Sequence, residues 1–131
     1  MSKRVEIKDA VVNLLHNTGK FYKVHKEPTD IEKERSFPVA WVYLGPETVL
    51  DGAISTTCYM REISLEVTIG VNHTNFDDDM DELIDFVFDF MKDEYTLSGA
   101  SINLTPTDIR TDQGYFYPYA LATLNFTVTT R

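Results

Sequence analysis

The sequence predicts a single α+β domain. It would be a mainly antiparallel sheet with two helices on one face, in the order α-β-β-β-α-β-β. Three observations carry this. Residues 62–71 alternate apolar and polar side chains, the period of a strand with one covered face. Two segments, 5–17 and 76–94, repeat apolar residues at helical spacing. The remaining strand-like segments follow one another through short links, which favours antiparallel pairing. A chain of 131 residues, taken as one unit over 1–131, is long enough to bury one real core.

The first helix presents Ile7, Val11, Leu14 and Leu15 on one side, and Gly19 is placed to stop it. Phe21 to His25 alternates, as a short strand would. Residues 26–36 (KEPTDIEKERS) are polar and contain Pro28, so a loop is expected. Phe37 to Leu44 (FPVAWVYL) is apolar on both faces, a strand that needs cover on both sides. The cover would come from the segments 26–36 and 45–57 or from a neighbouring subunit. Gly45-Pro46 is expected to end this strand, leaving 45–57 irregular.

In the long strand Ile63, Leu65, Val67, Ile69 and Val71 face one way, and Glu62, Ser64, Glu66, Thr68 and Gly70 the other. Asn75 suits an N-cap, and Asp77, Asp78 and Asp79 suit the positive end of the helix that follows. Phe76, Met80, Leu83, Val87 and Phe90 form its predicted sheet-facing stripe, widened by Ile84 and Met91. If Leu83 is buried there, its truncation to alanine costs about 2–5 kcal/mol. Ser98-Gly99 closes the segment. Two strands, about Ala100 to Arg110 and Tyr119 to Thr129, then form a hairpin around Asp112-Gln113-Gly114. Ala120, Ala122, Leu124, Phe126 and Val128 point one way, while Pro106 marks an edge strand or a bulge.

The net charge is -9, and the segment 76–95 holds nine acids against one base, Lys92, so nearly all the excess lies on one helix. That sign argues against binding nucleic acid through its phosphates. No apolar run reaches the roughly 20 residues that a bilayer-spanning helix needs, and no signal-peptide core follows the basic start, so cytoplasmic synthesis and no membrane partner are expected. Cys58 is the single cysteine, which excludes an internal disulfide and fits a reducing compartment.

No constellation supports catalysis, a metal or a cofactor. Asp77, Asp79 and Asp81 have the first three spacings of a calcium loop, but Glu82 stands where the turn needs glycine and Phe88 where the shell needs glutamate. A solvated acidic helix face accounts for them. His16, His25 and His73 are far apart, and Cys58 lies in no nucleophile motif. Phosphate loops and glycine-flanked serines are absent from the sequence. The reading is therefore a protein that is not an enzyme. The most informative local feature is Tyr115-Phe116-Tyr117-Pro118-Tyr119. Two of these rings fold back on the core with Pro118 setting the strand entry, or the cluster is a contact surface, and both readings can hold for different rings. Stacking on single-stranded nucleic acid is a third, with Arg110 alone nearby to track a backbone. Tyr115, Phe116, Tyr117 and Tyr119, with Trp41 and Tyr43 on the doubly apolar strand, are the candidate subunit or partner contacts.

The C-terminal stretch carries a resemblance. Ile109-Arg110-Thr111-Asp112-Gln113-Gly114, the aromatic run, and then Pro118-Tyr119-Ala120-Leu121-Ala122-Thr123-Leu124-Asn125-Phe126-Thr127-Val128 resemble the ending of tail terminator (tail completion) proteins of long-tailed bacteriophages. The order of elements is similar over most of the chain. The motif-level likeness is confined to residues 109–128, and the segments 26–36 and 45–57 match no family pattern.

The resemblance implies a virion structural protein, assembled in the host cytoplasm and placed at the head-facing end of the tail. It would form a homohexameric ring on the last ring of tail-tube protein, stop tube polymerisation and meet the head-completion proteins. DNA would pass through the lumen without specific binding. Other neck proteins, such as head-closure or tail-adaptor proteins, fit the same composition. A monomeric ligand-binding or regulatory α+β domain is the reading from a different class.

Overall fold

The computed structural model describes residues 2–50, 60–72, 80–112 and 118–131. Its first helix, α1, spans Lys3–Asn17. The Ser2 hydroxyl caps it by accepting from the Arg4 N–H at 3.2 Å, and Gly19 follows its end at φ 73°, a value glycine adopts without strain. Ile7, Val11 and Leu15, one stripe at i, i+4 and i+8, are fully buried.

The strands are β1 (Lys23–His25), β2 (Val39–Val49), β3 (Arg61–Asn72), β4 (Asn103–Thr111) and β5 (Tyr119–Thr130), with the second helix, α2, at Met80–Asp93. They form one five-stranded sheet in the order β1-β2-β3-β5-β4. All neighbours are antiparallel except β1 and β2, which run parallel. The α+β class and element order are thus those the sequence predicts.

Both helices pack on one face. Ala40 and Val42 of β2, the five alternate residues Ile63 to Val71 of β3, and Ala122, Leu124, Phe126 and Val128 of β5 meet the helical stripes in one core. Here α1 lies over the β1–β2 side of the sheet and α2 over β3, β5 and β4. A β-strand's period of two fixes which residues are left for the other face.

Three boundaries and one buried stripe differ most from the sequence reading, each for a local reason. Only Lys23 to His25 pair as β1, because Phe21 is drawn into the core. Gly45-Pro46 does not end β2. The strand continues to Val49 through a register shift between Leu44 and Glu47, so the residue without an N–H donor sits in the irregularity. Next, β4 starts at Asn103 rather than Ala100, because a short 3-10 turn at Leu97–Gly99 takes the chain through positive φ at all three residues. Lastly, the buried stripe of α2 is Ile84, Val87 and Met91, while Met80, Leu83 and Phe90 are half-buried. Phe86 and Phe90 stack at 5.9 Å on the helix flank, with the Lys20 ammonium 5.4 Å from the Phe86 ring, so they cover the rim rather than the sheet. The predicted N-cap Asn75, Phe76, and Asp77 to Asp79 lie outside the described residues.

Pro106 lies where expected. It is on the outermost strand, next to a register shift between Pro106 and Asp108.

Candidate functional site

The face of the sheet away from the helices carries the candidate contacts. Its cover at one end comes from the chain itself. Parallel strands cannot be joined by a tight turn, so the link from β1 to β2, residues 26–38, must cross the sheet. It crosses this face as a strap with a 3-10 turn at Ile31–Lys33. Beneath it Phe37, Val39 and Trp41 form a second buried cluster, flanked by the half-buried Ile31, Tyr43, Tyr119 and Leu121. The two-sided apolar character of the Phe37–Leu44 segment is thereby satisfied within one chain.

Polar groups tie the strap down. The Trp41 indole N–H donates to the Thr29 hydroxyl at 2.6 Å, and that hydroxyl donates to Glu34 Oε1 at 3.0 Å. His25 stacks on Trp41 with ring centroids 5.8 Å apart. Its Nε2 lies 2.7 Å from Glu34 Oε1, a close ion-pair distance without the alignment of a ring N–H hydrogen bond. Gly70 leaves room for this cluster, since a Cβ there would stand 2.8 Å from the Trp41 ring.

Three of the six predicted contact residues come together here. Trp41 and Tyr43 are two apart on one face of β2. Tyr119 reaches the same cluster from β5, with its ring 6.0 Å from that of Phe37. Trp41 is only 3% exposed, so it anchors the strap and shows little more than the edge that walls the cavity beside it. Tyr43 and Tyr119 keep part of their rings accessible. Tyr115, Phe116 and Tyr117 lie outside the described residues, as do Cys58 and His73.

Beyond the strap the face is open and polar. Register places Tyr43 beside Glu66 and Glu66 beside Asn125; across a register shift, Asn125 pairs with Asp108. Next to this row Thr68 and Thr123 share a hydroxyl hydrogen bond of 3.2 Å. Asn125 Nδ2 donates to Asp108 Oδ1 at 2.7 Å, and Arg110 Nε to Asp108 Oδ2 at 2.9 Å. The bond from Arg110, then that from Asn125, holds the Asp108 carboxyl below the usual aspartate range. Burial raises the Tyr43 hydroxyl above the ordinary tyrosine value, and the charge of Glu66 acts in the same direction.

Two cavities adjoin at Tyr43. One, of about 290 Å³, lies between the strap and the sheet against Ile31, Trp41 and Leu121. The other, of about 280 Å³, is bounded by Gly45, Pro46, Ser64, Glu66 and Asn125. A third, of about 330 Å³, opens beside the β4 irregularity and shares Asn125 with the second. The row and its cavities escape sequence reading because they depend on strand register. The one available signal is the alternation of residues 62–71, which turns Glu66 and Thr68 outward.

Among the described residues no group of three His, Cys, Asp or Glu side chains could hold a metal ion. On α2, Asp81, Glu82, Asp85, Asp89 and Asp93 are exposed. No helix of the described chain is long and apolar enough to cross a membrane. No family model matches the sequence, and neither does any curated protein.

Proposed function

We propose that this protein is a virion assembly factor of the tail-terminator kind, a ring-forming cap for the tail tube. The observation that carries the reading is the sheet's unequal coverage. Both helices occupy one face, while the other, past the strap, presents Tyr43, Glu66, Asn125 and a row of threonines as a broad accessible surface. A two-layer domain with one face open has a surface for a neighbour that its own core does not use. The two sides of the subunit also differ in charge. Residues 3–35, on the α1 and strap side, hold eight Lys and Arg residues against six acids, and the exposed acids of α2 lie on the other. Unlike surfaces on one subunit favour head-to-tail contacts, which close into rings. The likeness of residues 109–128 to terminator endings supports reading the ring as one of that kind.

The reading implies self-association, probed by negative-stain imaging of the protein alone and with purified tail-tube protein. Rings seated on tube ends, and tubes whose length is limited by added protein, are expected. Tubes that grow unchanged while the protein forms no ring and binds no tube end would remove the proposal.

A further inference from the structure

We propose that the depression around Tyr43 receives an extended segment of a second polypeptide, which sets a lysine or arginine side chain against Glu66. Glu66 is a half-buried carboxylate in a cavity wall, between Tyr43 and Asn125 in register. None of the ion pairs among the described residues uses it. All twelve Lys and Arg residues of the chain fall within the described residues, so no lysine or arginine elsewhere in the chain remains to neutralise it. The basic group nearest along the register, Arg110, is engaged with Asp108. No Lys or Arg of the chain pairs with Glu66, so the basic partner inferred for it is on another molecule. The same carboxylate repels an acidic ligand, and the Tyr43 ring offers a π-face to a cation.

The second cavity defines the rest of the occupant. It adjoins the first at Tyr43 and is walled by Ile31, Trp41 and Leu121, so it suits an apolar side chain. In an extended chain alternate residues point the same way. A segment of the pattern apolar–x–Lys/Arg thus fills both cavities at once and straddles Tyr43. This deepens the assembly reading by giving its contact surface a chemistry, yet needs neither ring nor tube to be tested.

The test is an amide-shift NMR titration of the full chain with the blocked peptide acetyl-Thr-Leu-Thr-Arg-Thr-amide. The same peptide with Glu in place of Arg, and acetyl-arginine-amide alone, serve as controls. The Arg peptide should shift the amides of Tyr43, Glu66 and Asn125 saturably and the Glu peptide should not. Glu66→Gln should weaken binding at least about tenfold, as loss of one member of a charged contact does. Glu62→Gln, on the same strand and face outside the depression, should leave it unchanged. Absence of saturable shifts, equal binding of both peptides, or an unaltered affinity in Glu66→Gln overturns the proposal. Acetyl-arginine-amide binding as tightly as the peptide overturns the polypeptide occupant. None of these results bears on whether tubes are capped, so the two readings fail separately.

Discussion

Gly70 holds the tightest position on the open face. A Cβ built on it would sit 2.8 Å from Cζ3 of Trp41 and 3.1 Å from Cδ1 of Ile31, so even one methyl group must displace the indole or the strap. Gly70→Ala should therefore destabilise the protein by about 1–3 kcal/mol, as overpacking does. Chemical denaturation measures this, and an unchanged midpoint would mean that the strap yields freely. Asp108 is the residue whose effect depends on pH. A carboxyl with a lowered pKa in the fold contributes stability where it is ionised in both states, and loses it as pH falls through the folded value. Arg110 and Asn125 lower Asp108, so Asp108→Asn should cost a little thermal stability at neutral pH. The difference should close below about pH 4, the ordinary aspartate value. A gap that persisted at lower pH would assign the loss to something other than the charge. Neither residue could be singled out from sequence alone. Gly70 reads as one more outward position of an alternating strand, and Asp108 gains Asn125, 17 residues on, only through pairing between strands.

At the scale of elements, α2 shows how far periodicity reaches. Its existence and the face it turns inward are legible, because Met80 to Met91 repeats apolar residues at helical spacing. Which of them is deepest is not, because the apolar arc is wider than the sheet can cover. The centre falls on Val87 and Met91, both with no exposed surface, and leaves Leu83 at the margin. Met91→Ala should accordingly cost about 2–5 kcal/mol and Leu83→Ala clearly less. Urea unfolding of the two variants gives the order, and a larger loss at Leu83 would contradict the packing. In β2 the same logic failed at the far end. Gly45-Pro46 reads as a stop, yet pairing with β3 carries the strand past it to Val49. An irregularity costs less than abandoning a ladder whose other partners, Glu47 to Val49, are already aligned with Ile63 to Arg61.

For the whole molecule, two apolar clusters of unequal depth lie on opposite faces of one sheet. The main one joins both helices to four strands. The smaller one holds Phe37, Val39 and Trp41 under the strap, whose crossing part, before Phe37, is held by the half-buried Ile31 and a few polar contacts at Thr29 and Glu34. Exposure of polar contacts to solvent and a small apolar area make an element open at lower cost than the global fold. The strap should then lift before the sheet and helices unfold. Trp41 is the single tryptophan, so its fluorescence reports the strap, while far-UV circular dichroism reports helices and sheet. In a urea titration the emission of Trp41 should shift to the red at lower denaturant than the loss of ellipticity, a departure from the coincidence expected of a two-state domain. Ile31→Ala removes apolar contact from the strap and leaves the helical core intact. It should move the fluorescence transition to lower urea while the ellipticity midpoint stays nearly in place. Coincident transitions in both proteins would show that strap and sheet form one cooperative unit. The sheet face beneath the strap would then become accessible only when the whole domain unfolds. A docked partner would in that case be confined to the accessible row from Tyr43 to Asn125 and to the cavity already present beside the strap.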